Sequence, residues 1–310
     1  MSLIKKPSQL KNENILLKGI LLKGLIYGQP GIGKTTIALS SPNPLLIDFD
    51  NGLKRVDTQY QKDSVQVESY KNLLDVLNSE EIKNYDTIII DTLGKMIDKI
   101  GDYLAISNPK IKQSDGQLAM KGWGAVKLEF QTLLKLLDSK RKSVIFIAHE
   151  KEDKENDKVI KRPDVAGSSG KDVVKELDFM GYMSMHGNKR TIDLMPNEAF
   201  YAKNSFGLDG FLEFPILKGI NEFLSKNIFE KYQNKVKEDC ILREQYNDLI
   251  AIIDDRIQNL KNSQDVNDYY ATEYNKLQKI WSSVEYEKQK LAAKVKELGL
   301  TFNKESKIFE

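Results

Sequence analysis

Gly28-Gln29-Pro30-Gly31-Ile32-Gly33-Lys34-Thr35 constrains this chain more than any other stretch. Its spacing is that of a phosphate-cradling loop, G-x-x-x-x-G-K-[ST]. Ile20–Tyr27 before it reads as a buried strand, and Thr36–Leu39 after it as the start of a helix. Strand, loop and helix in that order are the context the motif requires. The glycines let the backbone curl so that its N–H groups face a polyphosphate, and the helix start favours the same anion. The loop Gly28–Thr35 with Thr36 is the expected nucleotide cradle, Lys34 the contact to the terminal phosphates and Thr35 the Mg²⁺ ligand.

Composition narrows the rest. The net charge of +2 does not mark a nucleic-acid binder, so any basic surface has to be local. The single cysteine, Cys240, excludes an internal disulfide and a cysteine-based zinc site, and suits a reducing, cytoplasmic setting. Histidines occur only at 149 and 186, too few for a His-rich metal site. No run of about 18 apolar residues suggests a membrane span, and the polar start lacks the apolar core of a signal peptide.

Along the chain, a polar arm (1–18) precedes an α/β core (19–221) and a helical extension (222–310). Ile15–Gly19 repeats as Ile20–Gly24, and the copy beside the loop is assigned to the first strand. Strands are expected at Pro44–Asp50, Asp86–Thr92 and Ser143–His149, whose apolar runs suit a parallel sheet buried on both faces. Helices are expected over 71–80, 93–106 and 118–137, the last interrupted at Gly122-Trp123-Gly124. Residues 150–171 are charged, then glycine- and serine-rich, and read as a long functional loop. Phe179–Met185 and Arg190–Met195 flank Gly187-Asn188 as a hairpin. In the extension, Leu242, Tyr246, Leu249, Ile253, Ile257 and Leu260 are followed, after a break at Asn262-Ser263-Gln264-Asp265, by Tyr270, Tyr274, Leu277, Trp281, Val284, Leu291, Val295 and Leu298. Spacings of three and four predict two long helices in an antiparallel hairpin.

Three side chains at strand ends are candidates for chemistry. Asp91 ends the most apolar strand, where a second Mg²⁺-holding acid (Walker B) belongs; an Asp there also suits capping of the next helix. Asp48 and Asp50 share a strand face, and Asp50 lies nearer the edge where α/β sheets bind ligands. Asp50 is a candidate base for water attack on the terminal phosphate, the alternative being that both acids start the turn at Asn51-Gly52. His149 ends its strand at the same edge, as a sensor of that phosphate or as a polar strand end.

Taken together, these stretches resemble the RecA-like P-loop ATPases, and within them the phage-encoded nucleotide-binding proteins that act as minimal recombinases or single-strand annealing proteins. The likeness covers roughly residues 19–215 and includes Leu46–Gly52, Thr87–Thr92, Ile145–Glu150 and Ala202-Lys203-Asn204. It implies an ATPase using ATP and Mg²⁺, a homo-oligomer, single-stranded DNA as substrate, a single-stranded DNA-binding protein or other phage factor as partner, and a place in bacterial cytosol. The family's catalytic acid, commonly Glu, falls on Asp50, and its sensor on His149. Its intersubunit finger falls on Lys203. Its DNA loops fall on about 106–122, with Lys110, Lys112 and Lys121, and on 150–171, with Lys161, Arg162 and Lys171. Trp123, beside the first, is either a base-stacking platform or a helix-packing residue. A helicase, helicase loader or remodelling ATPase, a small-molecule kinase and a non-catalytic nucleotide switch or scaffold remain alternatives.

Overall fold

The structure is a computed structural model describing residues 21–155, 158–165, 175–274 and 281–310. The described residues fall into two compact units that divide after Lys235.

The first unit is built on a ten-stranded sheet. Its main path is β10 (Phe211–Phe214), β8 (Lys189–Asp193), β7 (Phe179–His186), β1 (Lys23–Gly28), β5 (Ser143–Glu155), β4 (Thr87–Asp91), β2 (Pro44–Asp48) and β3 (Ser64–Gln66). From β7 to β3 the pairings are parallel, and β8 and β10 add on antiparallel. The strands β2 and β4 are buried at every position. A strand covered on both faces must be apolar throughout, which is why Ile88-Ile89-Ile90 shows no alternation. Leu25, Tyr27, Ile88 and Ile90 face one core, with the helices Tyr70–Asn78, Leu93–Ser107 and Met120–Ser139. Leu22, Ile26, Leu46 and Ile89 face the other, with the helix Lys34–Ala38 and the segment 223–229. This is the expected α/β architecture with a mostly parallel central sheet.

Several boundaries differ from expectation. The helix Met120–Ser139 runs through Gly122-Trp123-Gly124 without interruption. Gly122 allows a close approach there: a Cβ would stand 2.5 Å from the Ile111 carbonyl oxygen. Trp123 packs against the core rather than standing free for stacking. Residues 150–155 and 158–163 are strand rather than loop. β5 continues past His149 and pairs antiparallel with β6 (Lys158–Pro163). Across the two strands Lys161 pairs with Glu150 and Arg162 with Asp153, so this hairpin is supported by charge pairs and backbone bonds where apolar alternation is lacking.

The first unit also extends beyond residue 221. Phe223, Leu224, Ile228 and Phe229 are buried in its second core. Asn221 donates to the Thr36 carbonyl at 2.8 Å and Ser225 Oγ to the Ser40 carbonyl at 2.7 Å. These bonds satisfy backbone acceptors that the five-residue helix Lys34–Ala38 and its exit leave open.

Of the expected pair of long helices in the second unit, the first is present and the second ends early, at Thr272. The helix Glu230–Gln258 is followed by Ser263–Thr272 and Trp281–Glu297, and then by a small hairpin of β11 (Phe302–Asn303) and β12 (Ile308–Phe309). The expected break at 262–265 falls where Asn262 caps the middle helix, its side chain accepting from Asp265 N at 2.9 Å. Ile253, Ile257 and Leu260 pack with Val266, Tyr269 and Leu291, whereas Leu242 stays half exposed. Leu277 lies outside the described residues, as do the arm 1–18 and the Gly167–Gly170 stretch. No described helix is long and apolar enough to cross a membrane.

Candidate active site

β1 ends at Gly28, where nothing larger fits. A Cβ there would stand 2.3 Å from the Met183 carbonyl oxygen of β7. Gly31 and Gly33 take φ of 79° and 101°, values that only glycine adopts freely. Gln29, Pro30 and Ile32 complete the curl, and Gly33 leads directly into the helix that begins at Lys34. Thr35 and Thr36 lie in its first turn, where backbone N–H groups have no partner within the helix.

The sheet brings the candidate acids to this loop. A cleft at the C-terminal ends of the strands is lined by Lys34, Thr35, Asp50, Arg55, Asp91 and His149. Thr35 Oγ1 donates to Asp91 Oδ2 at 2.7 Å. Asp91 therefore faces the loop and does not cap its own helix, whose N-terminus has no side-chain cap. Asp48 takes the turn role. Its carboxylate accepts from Asp50 N at 2.9 Å and Leu53 N at 3.1 Å, which frees Asp50 to face the cleft. His149 pairs across from Gly28 in the sheet and is the last residue before β5 enters its hairpin.

Charge and burial set how these groups behave. The Lys34 ammonium is buried and donates to Gly28 O at 2.9 Å and Gln29 O at 2.7 Å. Burial lowers its pKa to about 8, against the opposing pull of Asp91. Burial would raise the Asp50 pKa, but the Lys95 and Arg55 cations outweigh it and hold the carboxyl below its ordinary value. Such a carboxylate orients a water well and retains its proton poorly. Burial, and then the Lys34 charge, lower the His149 pKa, so the imidazole is neutral near neutral pH. Its Nδ1 is buried with no hydrogen-bond partner among the described residues.

Burial raises the Asp91 pKa to about 6, only partly offset by the Thr35 hydrogen bond. A carboxyl whose folded pKa is raised stabilises the fold at low pH and loses that contribution as pH rises through the folded pKa. Asp91→Asn is therefore expected to stabilise the nucleotide-free protein by up to about 3 kcal/mol near neutral pH, and to flatten the stability change between the ordinary carboxylate range and about pH 6. Thermal unfolding of both proteins across that range measures it; equal midpoints throughout count against the buried charge.

Other expected site residues lie elsewhere. Lys203, in β9 (Lys203–Asn204), pairs with Met180 near the start of β7, away from this chain's own phosphate loop. Its ammonium donates to the carbonyls of Lys175 and Leu177. Lys161 pairs with Glu150 at 3.2 Å, and Arg162 pairs with Asp153 at 3.1 Å and stacks on Tyr201. Lys112 pairs with Asp102 at 2.6 Å. These three cations are engaged internally and do not form an open phosphate track. Lys110 and Lys121 are exposed. Lys171 lies outside the described residues. Sequence reasoning missed Lys95 and Arg55, which reach Asp50 from different elements and carry no motif.

The residues present fit ATP and Mg²⁺. The glycine curl leaves room that a Cβ would fill, the Lys34 ammonium lies against the loop, and His149 Nδ1 is an orphan at its edge. Thr35 and Asp91 supply hard oxygen ligands for Mg²⁺, directly or through water, and the ion would offset the charge of the terminal phosphates. Asp50 can orient the attacking water, and Lys34 can stabilise charge on the phosphate.

A family model described as an AAA domain matches residues 21–206, more than half of the chain. No curated protein matches it. The match begins just before β1 and spans the phosphate loop, Asp50, Asp91 and His149, so the chain belongs to the AAA domain family of P-loop ATPases.

Proposed function

We propose that this ATPase hydrolyses ATP with Mg²⁺ while acting on single-stranded DNA, in the annealing or pairing of strands during phage recombination, and that it does so as a RecA-like homo-oligomer. The observation that carries the DNA reading is the turn joining the helices Leu93–Ser107 and Met120–Ser139. Ala119 N donates to Ile111 O at 2.7 Å, so Lys110 and Lys121 flank one contact. Both are exposed, and among the described residues neither pairs with a carboxylate. Exposed Met120 and Ile106 add apolar surface to the same segment.

Two further features support the reading. β5 runs unbroken from the sheet past His149 into the β5–β6 hairpin, a physical link between a phosphate-facing imidazole and a second surface element. Lys203 is placed away from its own loop, as a residue serving a neighbouring subunit's nucleotide would be.

The test is ATP hydrolysis with no DNA, single-stranded DNA and duplex DNA across a salt series. Single strands are expected to stimulate turnover, and salt to weaken that stimulation. The Lys110→Glu/Lys121→Glu double variant should bind single strands more weakly and flatten the log–log salt slope by about 1.4, the share of two phosphate contacts. Equal hydrolysis in all three conditions would remove the DNA reading, and ATP-driven unwinding of duplex would replace annealing with a helicase role.

A further inference from the structure

The hairpin β7–β8 carries a cation that the phosphate-loop motif does not predict. β7 lies beside β1 on the side opposite β5, and its last paired residue there is Met183, across from Gly28. Beyond that point β7 outruns β1, turns at Gly187-Asn188 and returns as β8. The return strand places Arg190 against the phosphate loop: its Nη1 is 3.7 Å, and its Cζ 4.0 Å, from where a Cβ on Gly33 would stand. The Met183 methyl is 3.8 Å from the same point.

The charged neighbours on this hairpin are occupied. Lys189 pairs with Glu213 at 2.9 Å, and His186 lies 3.9 Å from Asp193. Arg190 is exposed and has no carboxylate partner among the described residues. A guanidinium presents a rigid fork of donors that matches phosphate oxygens. Left unpaired beside a loop shaped for phosphate, it has an evident ligand.

We infer that Arg190 binds the nucleotide in cis, at the phosphate nearer the ribose. This rests on the reading that nucleotide occupies the Gly28–Thr35 loop. The side follows from topology. Asp91, Asp50 and His149 reach the loop from β4, from the turn after β2 and from β5, all on one side of β1, and Thr35 bonds toward them. The metal and terminal phosphate belong on that side. Arg190 arrives from the other side, across β7, and so meets a phosphate that ADP retains as well as ATP.

Calorimetric binding of ADP and of ATP·Mg²⁺ to the full chain tests this. Arg190→Ala is expected to weaken both by the same factor, about tenfold or more for loss of a charge-assisted contact. Arg190→Lys should recover part of the loss, because charge returns without the fork. The nucleotide-free unfolding midpoint should stay at the wild-type value, since the side chain is exposed. Unchanged affinity for both nucleotides, while Lys34→Ala weakens binding, overturns the inference alone. A loss confined to ATP overturns the assignment to the ribose side, and a lowered midpoint with unchanged affinity shows a structural role instead. Wild-type binding by Lys34→Ala as well would remove the nucleotide reading of the loop and this inference with it.

Discussion

Lys34→Ala is expected to lower ATP turnover by at least about 10²- to 10³-fold, the scale for losing one preorganised charge-stabilising donor, while the protein stays folded. The ammonium is buried beneath the loop, held by the Gly28 and Gln29 carbonyls, and burial keeps its pKa at about 8. A lysine with a lowered folded pKa is charged at a cost to the fold, and that cost disappears as pH rises from about 8 through the ordinary lysine range. Removing it therefore does not lower the unfolding midpoint. The wild-type protein should bind nucleotide less tightly as pH rises through about 8, because the ammonium that meets the phosphates is lost. The variant should lack that limb. Steady-state hydrolysis and a pH series of nucleotide affinity measure both effects, and wild-type turnover in the variant would withdraw Lys34 from the phosphate site.

Cutting the chain after residue 221 is expected to unfold the ATPase unit, whereas cutting after Lys235 should leave it folded. Composition places the change of character near Glu222, but Phe223, Leu224, Ile228 and Phe229 belong to the core beneath the phosphate-loop helix. Full burial of such side chains contributes about 1.5–3 kcal/mol each. Four of them amount to roughly 6–12 kcal/mol, comparable with the whole stability of a typical domain. The shorter fragment also loses the bonds from Leu224 N and Ser225 to Ser40 at the exit of that helix. Circular dichroism and urea unfolding of the two fragments separate the cases. A cooperative transition in the shorter one at the same midpoint would show that the segment only decorates the core.

The parts of the site legible in sequence are those whose chemistry is local. Glycine spacing at 28, 31 and 33 encodes the loop because the backbone itself needs those positive or crowded conformations. Asp91 was legible because a fully buried parallel strand must be apolar up to the point where it meets the ligand edge. The β5–β6 hairpin was not, since its charges look solvated until folding sets Lys161 against Glu150 and Arg162 against Asp153 across the strands. The heptad stripe over the tail was likewise ambiguous. Spacing placed the break at 262–265, where Asn262 caps the next helix, but not the end of that helix at Thr272.

The sequence by itself determined the phosphate loop, the strands that deliver Asp91 and His149, and the α/β class, because each depends on residues adjacent in the chain or on one strand's burial. Only the tertiary structure decided which carboxylate closes the turn and which faces the cleft: Asp48 binds two backbone N–H groups, while Asp50 meets Lys95 and Arg55. It also brought Arg190 beside Gly33 and the segment 223–229 beneath the loop's helix. In sequence, Arg190 lies 157 residues from Gly33 and Leu224 lies 184 from Ser40. Contacts across such distances follow from sheet order and core packing, which no local pattern of residue types encodes.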